Sequence, residues 1–251
     1  VSKLIKVSGC DDSQRRGDVV FVHGLDGDAR STWRPAGSAG PTWPEWLAED
    51  LPDVGVWLLD YDAASMAWKG HAMPLADRAT NALAVLDVEG LGERPTVYIT
   101  HSMGGLLVKQ LLRHGRDFGD PNWRRVVDQT RGIVFVSTPH SGSDIAGWVK
   151  HLSLVLRNTV AVDDLRAHDP RLRELNTWFR NNHQTLDVKV EVYCEKLPTA
   201  GFLVVNETSA DPGIAGVIPV PMDDDHVTIC KPAGKDSLLY KRSLRFVRGC
   251  L

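Results

Sequence analysis

Three features of the sequence predict a three-layer α/β fold built on a mostly parallel central sheet. Short runs rich in Val, Ile, Leu and aromatics recur between turn residues, as strands do. Two of them, Val19-Val20-Phe21-Val22 and Ile133-Val134-Phe135-Val136, are apolar at every position, which suits strands covered on both faces. Stretches with helical spacing lie between the runs, and that alternation is the signature of helices packed on both sides of a sheet.

Residues 4–7, 19–22, 56–59, 96–100, 133–136, 188–193 and 202–205 read as strands. Residues 43–51, 75–86 and 104–113 read as helices; the last places Leu107, Val108, Leu111 and Leu112 on one face. A closing helix over 237–247 carries Leu238, Leu239, Leu244 and Phe246. One interval departs from the alternation. Between the strands at 133–136 and 188–193, Trp148, Leu152, Val155 and Leu156 fall at helical spacing, as do Leu172, Leu175, Trp178 and Phe179. A short helical insertion at about 141–186, before the penultimate strand, is expected there. It acts either as a lid over a site or as further packing on the sheet.

Composition narrows the function. The chain has 251 residues, is 43% hydrophobic and 24% charged, and carries a formal net charge of -3. Such a chain buries a sizeable core without cross-links. Its charge leaves no basic footprint for nucleic acid, and no apolar run reaches the roughly 18–20 residues of a membrane span. Cys10, Cys194, Cys230 and Cys250 are too widely spaced for a metal site, and four free thiols are expected. No leader with a basic start and apolar middle is visible, so a cytoplasmic setting is expected. The chain begins at Val1, and the expectation is one domain over 1–251, excised from a longer protein and fused there to others.

The sharpest motif is Thr100-His101-Ser102-Met103-Gly104-Gly105, between a strand and a helix. A serine on so tight a turn is held exposed and strained, and needs small neighbours two residues to either side. Gly104 meets that need; Thr100 stands where a glycine is usual. Upstream, Val22-His23-Gly24-Leu25-Asp26-Gly27 follows another strand. A tetrahedral intermediate needs two donors at its oxyanion, and the backbone N–H groups of Leu25 and Met103 are the natural pair. His23 is expected to shape this loop.

A serine nucleophile needs a base. Of the nine histidines, His226 lies after the last strand-like run and before the closing helix. That gives the chain order serine, acid, histidine of one known triad arrangement. His101 and His140 are rivals: the first should point away from the serine, and the second comes too early in the chain but lines the site. For the acid, Glu195 at the end of its strand is the first choice, Asp211 the alternative and Asp225 a third option that more naturally shapes its own loop.

With these residues in view, the sequence resembles the α/β-hydrolase superfamily. Phe-Val-His-Gly-Leu, Thr-His-Ser-Met-Gly-Gly and Val-Ser-Thr-Pro-His-Ser-Gly-Ser are similar to the lipase-like serine esterase branch, which includes SERAC-type proteins and is related to the GPI-inositol deacylases. Ser-Ala-Asp-Pro-Gly and Asp-Asp-His-Val-Thr-Ile-Cys-Lys-Pro resemble the SERAC-type C-terminal signature. The resemblance implies an α/β-hydrolase fold, an ester hydrolase using Ser102, His226 and Glu195 without metal or organic cofactor, and a small-molecule or lipid ester substrate. Trp33, Trp43, Trp68 and Trp148 near the site loops would suit an acyl chain, or serve equally as core and interface residues. Two other readings stand beside it: a catalytically silent binding or signalling module, and an effector domain acting on amides or in acyl transfer.

Overall fold

The computed structural model of the chain describes residues 2–25, 27–35, 37–62, 75–140 and 170–251. Its sheet has seven strands: β1 (Lys3–Ser8), β2 (Gly17–Val22), β3 (Val54–Asp60), β4 (Thr96–His101), β5 (Thr130–Val136), β6 (Lys189–Glu195) and β7 (Val220–Met222). They run in the order β1-β3-β2-β4-β5-β6-β7. Only β1 is antiparallel to its neighbour, and the other pairs are parallel. The described helices are α1 (Trp43–Asp50), α2 (Leu75–Val88), α3 (Met103–Asp117), α4 (Pro121–Asp128), α5 (Pro170–Asn182), α6 (Glu207–Ala210) and α7 (Leu238–Cys250). None is long and apolar enough to cross a membrane.

The apolar runs are continuous because the two faces of the sheet divide them residue by residue. On one face Val20, Val22, Trp57, Leu59, Tyr98, Ile133 and Phe135 pack with α2, α3, α4 and Phe179 of α5. On the other, Val19, Phe21, Val56, Leu58, Val97, Ile99 and Val134 pack with Trp43 and Leu47 of α1 and with Leu239, Tyr240 and Val247 of α7. That is a three-layer α/β-hydrolase arrangement with a mostly parallel sheet.

Three elements differ from expectation. Residues 202–205 form no strand. Ala200 and Gly201 take positive φ, 49° and 89°, and Thr199 and Phe202 exchange main-chain hydrogen bonds across them. The run is therefore the exit of a tight turn, with Phe202 and Leu203 exposed. Strand β7 is not among the expected strands; its Pro221 cannot donate to a ladder, a loss that costs little at the sheet edge. Helix α4 was also missed, although Asp120 caps it by accepting from Asn122 and Trp123 N–H, with Pro121 at its first position. Of the expected insertion, α5 is seen and packs Leu175 and Phe179 inward; residues 141–169 lie outside the described residues.

Helix α3 approaches β2 more closely than any side chain allows. A Cβ on Gly104 would meet the main-chain oxygens of Val22 and His23, and one on Gly105 would meet the Thr138 side chain and Phe135. Gly104→Ala should therefore lower stability by about 1–3 kcal/mol in urea unfolding. Gly249→Ala, in open space on α7, should be neutral or stabilising. Equal effects of the two substitutions would contradict the close approach.

Candidate active site

Ser102 joins β4 to α3 with φ 54° and ψ -126°, a backbone state that L-residues rarely adopt and that surrounding structure must enforce. Its N–H donates to Val136 O at 2.9 Å, and Thr138 Oγ1 donates to its carbonyl oxygen at 3.0 Å. The neighbouring strand β5 and its exit loop thus hold the turn from both sides. Thr100 is fully buried, and its hydroxyl donates to Val134 O at 3.0 Å. That bond absorbs the polar atom of the residue standing where a glycine is usual.

The loop between β7 and α7 brings His226 to this turn. Its Nε2 lies 3.0 Å from Ser102 Oγ and its Nδ1 lies 3.0 Å from Glu195 Oε2. A carboxylate only accepts, so Nδ1 carries the proton and Nε2 is left to accept from the serine hydroxyl. The second oxygen, Glu195 Oε1, accepts the N–H of Val205 at 2.7 Å. All three side chains are buried, Ser102 contrary to the exposure expected of it and Glu195 fully so, which removes competing water from the chain of bonds. Asp211 is elsewhere engaged: it is exposed, ends α6 and accepts from Gly213 N–H. Asp225 accepts from Val227 and Thr228 N–H and from the Thr228 hydroxyl, and so shapes the histidine loop.

Leu25 follows β2 in a loop pressed against the serine. A Cβ on Gly24 would come within 2.6 Å of Ser102 Cβ and 3.2 Å of its Oγ. Met103 is the first residue of α3, where helix N–H groups have no partner within the helix. His23 holds the loop: Nδ1–H donates to Gly24 O at 3.0 Å, the ring stacks on Tyr61 with centroids 4.4 Å apart, and the Tyr61 hydroxyl donates back to His23 O. Burial pushes His23 below the ordinary histidine pKa, which suits a neutral structural role.

His101 turns away from the serine, and its Nε2 lies 2.9 Å from the main-chain oxygen of His226. His140 is drawn to a different group. Its Nδ1 lies 2.5 Å from Nζ of Lys109, which also donates to Asn176 Oδ1 at 2.8 Å. Lys109 is fully buried over the rings of Phe135 and Phe179, and none of the ion pairs among the described residues involves it. Desolvation pushes it well below the ordinary lysine value, and His140 likewise, by burial and then by the lysine beside it. The sequence signal for Lys109 was a lysine among the apolar residues of α3; for Thr138, Thr199 and Val205 no residue type marked the role. Trp33 and Trp43 take the core reading of the two. Both are fully buried and pack edge-on against Phe21 and each other, because the α1 face of the sheet needs large apolar volume there. Trp68 and Trp148 lie outside the described residues.

No family model matches the chain. Among curated proteins it is similar to SERAC1 of Danio rerio, 36% identical over 262 residues, covering 94% of this chain and 39% of that relative. The chain thus spans about two fifths of the length of the relative it matches. Among solved structures it is similar to a lipase-esterase related protein from Clostridium acetobutylicum, at TM-score 0.56 and 15% identity over 100% of this chain and 99% of the other. It is also similar to the carboxylesterase CesB from Bacillus subtilis, at TM-score 0.57 and 13% identity over 100% and 88%.

The buried lysine makes stability depend on pH. Its folded-state pKa lies below the ordinary 10.5, so the unfolded chain holds a proton that the folded chain gives up. Stability therefore rises with pH from the depressed folded value to about 10.5. Lys109→Met removes that rise. The unfolding free energy of the native protein minus that of Lys109→Met should increase between about pH 7 and pH 10 in urea titrations. A flat difference would show that Lys109 keeps its proton when folded.

Proposed function

We propose that the chain, which has an α/β-hydrolase fold and a sequence similar to SERAC1, is a serine hydrolase of carboxylic esters, lipid acyl esters among them. The observation that carries this reading is the unbroken line of hydrogen bonds from Ser102 Oγ through both nitrogens of His226 to Glu195 and on to Val205 N–H. Each donor in it faces an acceptor, and each member is of the type that acyl transfer requires.

In the first half-reaction His226 Nε2 takes the Ser102 hydroxyl proton as Oγ attacks the acyl carbon. The carbonyl π electrons move onto oxygen, and the resulting oxyanion is met by the N–H groups of Met103 and Leu25. Glu195 holds Nδ1–H and stabilises the imidazolium without taking its proton. When the intermediate collapses, the carbon–oxygen bond to the alcohol breaks and His226 protonates the departing alkoxide. Water then enters, gives a proton to His226 and attacks the acyl-serine; collapse returns the proton to Ser102 and frees the acid. Every proton transfer falls to a residue of the chain. The helix start at Met103 adds a field that favours the negative charge. Substrate acyl length is not assigned by the tryptophans, since Trp33 and Trp43 belong to the core; the lipid preference rests on the likeness to lipase-like proteins.

A fluorophosphonate should label the native protein and leave Ser102→Ala unlabelled; full labelling of the alanine variant would remove Ser102 from the role. On a short-chain nitrophenyl ester, Glu195→Gln should lose about 10³–10⁴ in kcat, while Asp211→Asn should stay within about twofold. The opposite ranking would assign the acid to Asp211.

A further inference from the structure

His101 makes none of the triad's own bonds, yet it lies buried beside the His226 ring. Its Nε2 is 2.9 Å from the main-chain oxygen of His226. A carbonyl oxygen only accepts, so this nitrogen is protonated and His101 is the donor. The two rings lie 5.0 Å apart between centroids, tilted by 42°. Burial, reinforced by the His226 ring beside it, holds His101 well below the ordinary histidine value, so it stays a neutral donor while its neighbour gains and loses a proton. On the other side of the same residue, His226 N–H donates to Thr199 Oγ1 at 2.9 Å. The peptide groups before and after the His226 Cα are thus each fixed by a buried side chain, in a loop that belongs to no helix or strand.

We infer that His101 is a positioning residue: its Nε2–H fixes the carbonyl of His226 and so aims the imidazole between Ser102 and Glu195. The inference rests on the triad reading proposed above. It follows from placement as well as from the bond. His101 immediately precedes Ser102, so the strand end that sets the serine also sets the histidine. Nucleophile and base are then referenced through one peptide step instead of through the 124 residues that separate them. Misplacing a catalytic group by about 1 Å can cost on the order of 10²-fold in rate, which is the size of effect such a clamp guards against.

The test compares three variants on a short-chain nitrophenyl ester, with rates normalised to active sites titrated by a fluorophosphonate so that unfolded protein is not counted. His101→Leu fills the volume without a donor, His101→Gln keeps a long amide donor, and His101→Asn keeps an amide too short to reach. The Leu and Asn variants should lose about 10²-fold in kcat with KM within about twofold, and Gln should regain at least tenfold of that loss. If the Leu variant does not fold, the Gln–Asn pair decides. Wild-type kcat in the Leu or Asn variant, or no advantage of Gln over Asn, would overturn the inference while leaving the triad in place. A native protein whose labelling does not depend on Ser102 would overturn the triad reading, and this inference with it.

Discussion

The site depends on one backbone state, the positive φ of Ser102 at the junction of β4 and α3. No local preference favours it for serine, so it exists only because its surroundings leave no other path. Gly104 lets α3 come up against the carbonyls of Val22 and His23, and Gly105 lets it lie on Thr138 and Phe135. Val136 O and the Thr138 hydroxyl then bond the turn on either side. The strain is thereby spread over β2, β4 and β5, three adjacent strands of the sheet. A serine aimed by a sheet is more rigid than one carried on a loop.

The rest of the chain brings His226 and its support to this serine. Strand β6 ends on Glu195, whose two oxygens face different tasks: one receives His226 Nδ1–H and the other Val205 N–H. A fully buried carboxylate without such donors would be costly. The turn at Ala200-Gly201 sends the chain back so that Thr199 meets His226 N–H. Asp225 closes the histidine loop on itself through three hydrogen bonds. The loop after β2 places Gly24 against the serine and is itself fixed by His23 and Tyr61. These segments therefore converge at the C-terminal ends of the parallel strands, where ligands of open α/β sheets bind.

How much of this could be read beforehand follows from what residue patterns report. The buried parallel strands were legible because both faces are covered, leaving Val19–Val22 and Ile133–Val136 apolar throughout. Helix α3 was legible from its stripe of Leu107, Val108, Leu111 and Leu112. Pattern failed where tertiary contacts outweigh composition. Phe202-Leu203-Val204-Val205 has strand-like residues, yet Val205 N–H goes to Glu195 and not to a ladder. Val220-Pro221-Met222 is three residues long and holds a proline, too little for a strand pattern, yet pairs with β6 at an edge. In the site, chain order placed Ser102, Glu195 and His226 among few rivals. The clamps on the His226 backbone and the Lys109–His140 contact join residues far apart in sequence, and a single sequence does not show such pairings.

The central claim is that Ser102, His226 and Glu195 work as one unit, and a mutant cycle measures that most directly. Ester hydrolysis would be followed for Ser102→Ala, His226→Ala, Glu195→Gln and the triple variant. Residues acting as a unit are grossly non-additive. The account predicts that the triple variant falls little below Ser102→Ala alone, with a residual rate above water from the oxyanion donors. A triple variant whose loss equals the product of the three separate losses would mean that the residues act independently, and would contradict it.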